Sequence, residues 1–291
     1  MVLLESTHVR RLLAFAEHLD FAEMIDLDLY FARIGHRGAR SPTLETLNAI
    51  VNAHVQAIPF ENLDVLLGRA IDLAPEALER KLLRERRGGY CFEQNALLLH
   101  VLGALGFDVH PLSARVRYQR PRDFTPARTH LFVRVELEES WLADVGVGAM
   151  SVTSALRLAE EGPQETPHET RRLLREDDRI YHQVLFGEAW HDVCEFTLEE
   201  MPPIDREVAN WYTSAHPGSH FKNRLLVARA LPDGGRAGLL NRELTVRGRD
   251  GRAERRVVGS PAELLEVLEE HFGLAFAAGT RFTCEALDWP G

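Results

Sequence analysis

A chain of 291 residues with 45% hydrophobic and 27% charged residues has the size and composition of a globular protein with two or three compact units. Its formal net charge of -10 argues against nonspecific nucleic-acid binding, which needs a basic face. The sequence holds no apolar run of membrane-spanning length, and residues 1–23 lack the layout of a signal peptide. We therefore expect neither nucleic acid nor a membrane as a partner.

The three cysteines are widely spaced and odd in number. Because Cys91, Cys194 and Cys284 form no CxxC pair and no cluster with histidine, we expect no disulfide framework and no metal site. This usage favours the reducing cytoplasm as the compartment. Residues 1–25 are interpreted as an N-terminal extension that could form a short amphipathic helix.

Helical spacing of apolar residues dominates the first hundred residues. Ser41 and Pro42 are interpreted as an N-cap and the first residue of a helix, and Gly106 is typical of a helix end. Four helices are predicted, over residues 26–34, 41–57, 75–88 and 91–105. Together they predict a helical bundle over residues 26–107.

The period of the apolar pattern then changes to two residues, which predicts strands. The predicted strands cover residues 109–118, 131–137, 141–145, 179–186 and 192–198. Residues 150–179 are polar, contain Pro163 and Pro167, and are interpreted as a long loop. The segment 108–202 is therefore predicted to be an antiparallel sheet or a small β-barrel.

Pro202 and Pro203 mark the boundary to a third unit over residues 203–291. Helices are predicted over residues 205–215 and 262–272, and residues 216–223 are interpreted as a loop. Four strands are predicted between them, over residues 225–231, 238–240, 243–247 and 255–258. The fold class is thus predicted to be α+β.

Cys91 stands at the start of the fourth predicted helix, directly after Gly88, Gly89 and Tyr90. The N–H groups of a first helical turn have no partner inside the helix, and the helix dipole is positive there, so both favour a thiolate over a thiol. The two glycines are expected to let the chain turn tightly and to let a substrate approach the sulfur. Cys91 is therefore a candidate nucleophile, although a buried structural cysteine fits the spacing equally well.

A nucleophilic thiol needs a base and a group that orients the base. His130 lies at the start of one predicted strand, and Asp144 lies on the return strand of the same hairpin. A two-residue turn at Glu138 and Glu139 would place the two side chains on opposite faces of the sheet. We therefore predict an odd-length connection or a bulge. A strand-end histidine bound to backbone and a turn-stabilising aspartate are the alternative roles.

Three separated blocks of sequence resemble a known family. Residues 58–64 read IPFENLD, residues 86–95 read RRGGYCFEQN, and residues 129–148 read THLFVRV followed by WLADVGVG. In this order they are similar to the signature segments of the arylamine N-acetyltransferases, with the cysteine, the histidine and the aspartate in place. A weaker block at residues 210–221, NWYTSAHPGSHF, resembles a segment of the family's third domain.

The resemblance implies three domains, namely a helical bundle, a β-barrel and an α/β lid, with a cysteine-protease-like arrangement of the catalytic residues. It implies acetyl-CoA as the acyl donor and an arylamine, an arylhydroxylamine or a hydrazine as the acceptor. It also implies a ping-pong reaction through an acetyl group on Cys91, with His130 as the base and Asp144 as its orienting group. No metal is implied, and the oligomeric state stays open.

Supporting roles are implied by the same resemblance. Arg87 and Glu61 would form a buried ion pair that fixes the start of the Cys91 helix, and Asn95 would hydrogen-bond near Asp144. The backbone N–H of Cys91 would be one oxyanion donor. The candidates for contact with CoA or the amine are Thr129, Phe132, Tyr212, Ser219 and Phe221.

Three other functions remain open from the sequence. An amide synthase of the same fold would use the same residues to close a polyketide onto an aryl amine. A papain-like or transglutaminase-like hydrolase would also use a cysteine, a histidine and an aspartate. A binding module that has lost its activity is expected to have a broken catalytic set, whereas all three residue types are present here.

Overall fold

The computed structural model describes residues 25–289, so residues 1–24 of the predicted N-terminal extension lie outside the described residues. Helices form most of the first part of the described chain, and two antiparallel sheets form most of the rest, which confirms the α+β fold class. The helices are α1 Leu27–Ile34, α2 Leu44–Ala57, α3 Leu63–Leu66, α4 Pro75–Leu78, α5 Cys91–Ala104, α6 Pro203–Ala215, α7 His220–Asn223 and α8 Pro261–Phe272.

Among the four helices predicted in the first hundred residues, two differ from the observed ones by more than one residue. The N-cap of α2 is Thr43, whose hydroxyl accepts the N–H of Thr46, so the predicted cap at Ser41 was two residues too early. The segment after α4 winds as a π-helical turn, Glu79–Arg84, and it ends before Gly88. Short π-helical turns carry no sequence signature of their own, so periodicity alone could not predict this one.

The larger sheet has seven strands: β2 Asp108–Val116, β3 His130–Glu136, β4 Ser140–Ala143, β5 Leu156–Arg157, β6 Arg171–Glu176, β7 Arg179–Phe186 and β8 Ala189–Glu200. Their order is β5-β4-β3-β2-β8-β7-β6. A guanidinium N–H of Arg175 donates to the carbonyl of Leu158 at 2.9 Å, which brings the two edges of the sheet together and nearly closes a barrel.

The interpretation of residues 150–179 as one long loop was wrong. Strand β6 lies within this range and pairs with β7 along its whole length. Its first residue, Arg171, is fully buried, and a buried arginine breaks the apolar alternation that identifies a strand in a sequence.

The β3–β4 hairpin has the irregular connection that the sequence predicts. Glu136 pairs with Ser140 and Val133 pairs with Ala143, so three residues join the strands. Continuing this register places Asp144 opposite Phe132, on the same face as His130. The predicted odd-length loop is therefore confirmed.

The smaller sheet has five strands: β1 Phe60–Glu61, β9 Leu226–Ala230, β10 Arg236–Leu240, β11 Glu243–Arg247 and β12 Ala253–Val257. Their order follows this numbering. Strand β1 comes from the helical part of the chain, and it pairs with β9 from the last part. The segment before β9 is thereby held beside the helix that begins at Cys91.

Candidate active site

Cys91 is the first residue of α5, as the sequence predicts. The carboxylate of Glu93 accepts the N–H of Tyr90 at 3.1 Å, which fixes the start of the helix. Cys91 is only 4% exposed, but it borders a cavity of about 760 Å³. Its Sγ lies 3.6 Å from the carbonyl oxygen of Thr129. The sulfur therefore lies where a small substrate can reach it.

The two glycines before Tyr90 serve packing, and neither of them borders the cavity beside Cys91. A Cβ on Gly88 would lie 2.1 Å from the carbonyl oxygen of Pro59, and a Cβ on Gly89 would lie 2.8 Å from the side chain of Glu93. Both glycines therefore let the start of α5 pack closely against its neighbours, which corrects the expectation of substrate access. Gly146 is the glycine that lies against the nucleophile, since a Cβ there would be 2.8 Å from the Cα of Cys91.

His130 and Asp144 are buried side by side. His130 Nε2 lies 2.7 Å from Asp144 Oδ2, and the thiol of Cys91 is a further hydrogen-bond partner of the ring. Burial alone would lower the pKa of His130, but the charge and hydrogen bond of Asp144 and the contact with Cys91 raise it to about 10. Burial alone would raise the pKa of Asp144, but His130 and the hydrogen bonds around the carboxylate lower it. The pair therefore favours an imidazolium beside a carboxylate.

Asn95 ties α5 to the hairpin that carries these residues. It lies four residues after Cys91, and its Nδ2 donates to Asp144 Oδ1 at 3.0 Å and to the carbonyl of Leu131 at 2.6 Å. Its Oδ1 accepts the N–H of Val145 at 3.0 Å. Because these bonds use both ends of the amide, Asn95 fixes the carboxylate relative to the nucleophile.

Arg87 lies at the centre of a buried charge network below the start of α5. Its Nη2 lies 2.6 Å from Glu61 Oε1, and its Nη1 lies 3.2 Å from Asp64 Oδ1. Lys81 extends the network, since its Nζ lies 2.8 Å from Asp64 and 2.6 Å from Glu93. The pairing of Arg87 with Glu61 agrees with the expectation, whereas the contacts of Asp64 and Lys81 were not predicted. The sequence offered one indication that Asp64 joins this network, namely its position three residues after Glu61.

Four of the five predicted substrate-contact residues border the cavity, namely Thr129, Tyr212, Ser219 and Phe221. Phe132 does not border it. Its ring is buried, packs edge-on against Phe196 at 4.8 Å, and lies parallel to His130 at 6.1 Å. The expectation that Phe132 contacts CoA or the amine is therefore corrected, because the ring lies in the core behind His130.

The loop between β2 and β3 forms a cavity wall of which the sequence predicts only Thr129. Phe124 on this loop is 47% exposed. A large apolar residue within a polar, arginine-rich segment was the feature of the sequence that could have indicated this wall. Buried Arg117 donates to the carbonyls of Pro121 and Phe124 while its Nε bonds Glu195, so it holds the loop in shape. Besides Thr129, the cavity residues from this loop are Tyr118, Gln119, Arg120, Phe124, Pro126 and Ala127.

Residues 25–289 contain neither a metal-binding cluster nor a membrane-spanning helix. Within this range, the histidine, cysteine, aspartate and glutamate side chains form no group of three that could hold a metal ion. Across the same part of the chain, no helix combines the length and the apolar character needed to cross a bilayer.

A cysteine beside a histidine–carboxylate pair on a cavity wall is typical of enzymes that transfer acyl groups through a thiol. Comparisons with known proteins define the chain further. A family model described as N-acetyltransferase matches residues 43–281. The chain belongs to the arylamine N-acetyltransferase family, and it is an acyltransferase.

The relatives cover most of the chain and most of their own length. An arylamine N-acetyltransferase of Mycolicibacterium smegmatis is 46% identical over 257 residues, which cover 86% of this chain and 92% of the relative. An arylamine N-acetyltransferase / N-hydroxyarylamine O-acetyltransferase of Salmonella typhimurium is 42% identical over 250 residues, with 85% and 88% covered. The solved structure of the Mycobacterium marinum arylamine N-acetyltransferase in complex with CoA superposes with a TM-score of 0.82 at 39% identity, covering 86% of this chain and 93% of that chain.

Proposed function

We propose that the protein transfers the acetyl group of acetyl-CoA to an arylamine, an arylhydroxylamine or a hydrazine by a ping-pong mechanism through an acetyl group on Cys91. The observation that carries the proposal is the position of Cys91 on the cavity wall beside His130, which is bound to Asp144 at 2.7 Å. The name of the Salmonella relative supports the arylamine and the arylhydroxylamine as acceptors, and the CoA complex of the M. marinum enzyme supports acetyl-CoA as the donor.

In the first half-reaction, the thiolate of Cys91 attacks the carbonyl carbon of acetyl-CoA. A bond forms between Sγ and this carbon, and the bond from the carbon to the CoA sulfur breaks. The imidazolium of His130 gives its proton to the leaving CoA thiolate, and the backbone N–H of Cys91 is one donor to the oxyanion. The raised pKa of His130 supports this role, because it keeps on the ring the proton that the leaving group takes. Acetylated Cys91 and CoA result.

In the second half-reaction, the nitrogen of the acceptor attacks the carbonyl carbon of the acetylated cysteine. Neutral His130 takes the proton that the nitrogen loses, the bond from the carbon to Sγ breaks, and the thiolate of Cys91 is restored. Asp144 stabilises the imidazolium that forms and holds the ring so that its other nitrogen faces the sulfur. The net products are the acetylated amine and CoA.

Other residues would support this chemistry from fixed positions. The pair of Arg87 and Glu61 would hold the start of α5, and Asn95 would hold Asp144. Ser219 donates its hydroxyl to the carbonyl of Thr213 at 2.6 Å, so it would shape the cavity loop without offering that proton to a substrate. We also propose that residues 26–107, 108–202 and 203–291 act as three structural units around the cavity.

Amine-stimulated release of CoA tests the proposed function. With purified protein, CoA release from acetyl-CoA should rise with the concentration of a simple aniline or hydrazine. Double-reciprocal plots at several amine concentrations should be parallel, as a ping-pong reaction requires. Release that responds to no amine of a panel would refute the acetyltransferase and favour an amide synthase. Labelling of Cys91 by a peptide or glutamine donor in preference to acetyl-CoA would favour a hydrolase.

A further inference from the structure

The IPFENLD block contains an asparagine to which the mechanism gives no role. Asn62 is 2% exposed and stands at the N-cap of α3, yet its side chain makes no capping hydrogen bond. The carboxylate of Glu61 accepts the N–H of Leu63 at 2.6 Å instead. The amide of Asn62 is therefore free to bind another part of the chain.

That amide binds the backbone of a segment 159 to 164 residues later in the chain, at residues 221–226. Nδ2 donates to the carbonyl oxygens of Phe221 at 2.7 Å and Arg224 at 2.8 Å, and Oδ1 accepts the N–H of Leu226 at 2.9 Å. The backbone N–H of Asn62 also donates to the carbonyl of Leu226 at 3.3 Å. One buried side chain thus sets the path of this segment through three hydrogen bonds.

The segment at residues 221–226 forms part of the cavity wall. Phe221, Arg224 and Leu226 border the same cavity as Cys91. The ring of Phe221 also lies 5.6 Å from that of Tyr90, the residue directly before Cys91. A shift of the segment would therefore change the space beside the nucleophile.

Charge indicates which substrate this wall contacts. Arg224 on the segment and Arg120 on the β2–β3 loop both border the cavity, against one carboxylate, Glu243, among its described lining residues, although the chain as a whole has a formal net charge of -10. Two guanidinium groups at one cavity suit the phosphate groups of an acyl-CoA, whereas an uncharged aryl amine gains nothing from them. The observations therefore favour the acyl donor as the ligand of this wall.

We propose that Asn62 is a positioning residue that holds the 221–226 segment in the shape that accepts the CoA part of the acyl donor. This inference rests on the proposed function, because it takes acetyl-CoA as the donor. Asn62 touches neither the reacting atoms nor the catalytic residues in this role. Its loss should therefore affect the use of acetyl-CoA and spare the chemistry at Cys91.

Two acyl donors of different size separate these effects. Acetyl-CoA needs the cavity wall, whereas p-nitrophenyl acetate is a small activated ester that needs only the catalytic residues. For Asn62→Ala, we expect the KM for acetyl-CoA to rise at least about tenfold, and the rate of Cys91 acetylation by p-nitrophenyl acetate to change by less than about twofold. Asn52→Ala is the matched control, since Asn52 lies in α2 and bonds Gln56 one turn away. This control should leave both reactions unchanged.

Asn62→Asp is the second variant. It keeps the oxygen that accepts the N–H of Leu226 and removes the two donated hydrogen bonds, so the same selective loss is expected. Equal losses with both donors, an unchanged KM for acetyl-CoA, or the failure of both variants to fold would overturn the positioning role. A wild-type protein that p-nitrophenyl acetate acetylates and acetyl-CoA does not would instead refute the proposed function, and the role of Asn62 with it.

Discussion

Replacing Arg87 by methionine should destabilise the fold much more than the same replacement of an exposed arginine. The guanidinium of Arg87 is buried and donates to Glu61 at 2.6 and 3.1 Å and to Asp64 at 3.2 Å. Methionine fills similar space but leaves the buried carboxylate of Glu61 without its partner. Breaking a buried ion pair from one side costs about 3–5 kcal/mol. Because Lys81 still lies 2.8 Å from Asp64, we expect the lower end of this range, about 3 kcal/mol.

Urea unfolding followed by circular dichroism measures this loss. Arg84→Met is the matched control, because Arg84 also forms an ion pair at 2.6 Å, with Glu79, but its side chain is 59% exposed. Exposed pairs contribute less than about 1 kcal/mol. Adding Glu61→Gln to Arg87→Met should recover part of the loss, since Glu61 then no longer carries an unpaired buried charge. If Arg87→Met loses no more than Arg84→Met, the reasoning on the buried pair is refuted.

The geometry around the nucleophile sets three more expectations. Iodoacetamide should modify Cys91 before Cys194 or Cys284, because burial raises the pKa of the latter two thiols. Peptide mapping at short reaction times measures this order. Equal modification of all three cysteines would contradict the expectation. Asp144→Asn removes the charge that raises the pKa of His130 to about 10. Modification of Cys91 by iodoacetamide at neutral pH should therefore slow at least about tenfold. An unchanged rate would count against the pairing of His130 with Asp144. Because folding raises the pKa of His130, its contribution to the stability of the wild type is complete below pH 6.5 and is lost as the pH rises through about 10.

Local features of the site could be predicted from the sequence. The start of α5 at Cys91 follows from the preceding glycines and the apolar spacing that comes after it. The parity of the hairpin required the odd-length connection that now joins Glu136 to Ser140. Both predictions depend on residues that are close together in the chain, where periodicity and turn geometry apply.

Contacts between distant segments could not be predicted in this way. Strand β6 was missed because Arg171 is buried against Glu169, whereas sequence patterns treat arginine as exposed. Asn62 holds a segment more than 150 residues away through its amide, and no periodicity encodes such a contact. The π-helical turn that contains Lys81 and brings it between Asp64 and Glu93 likewise has no sequence signature.

Acetylation of Cys91 in the absence of an amine is the most direct test of the proposed mechanism. The protein is incubated with acetyl-CoA alone, and mass spectrometry is applied to the intact chain and to the peptide that contains Cys91. We expect one added acetyl group on this peptide, which disappears when an arylamine is supplied, and none on a Cys91→Ser variant with an unchanged circular dichroism spectrum. An unmodified Cys91 peptide, or turnover by Cys91→Ser at the wild-type rate, would contradict the role of Cys91 as the acyl carrier.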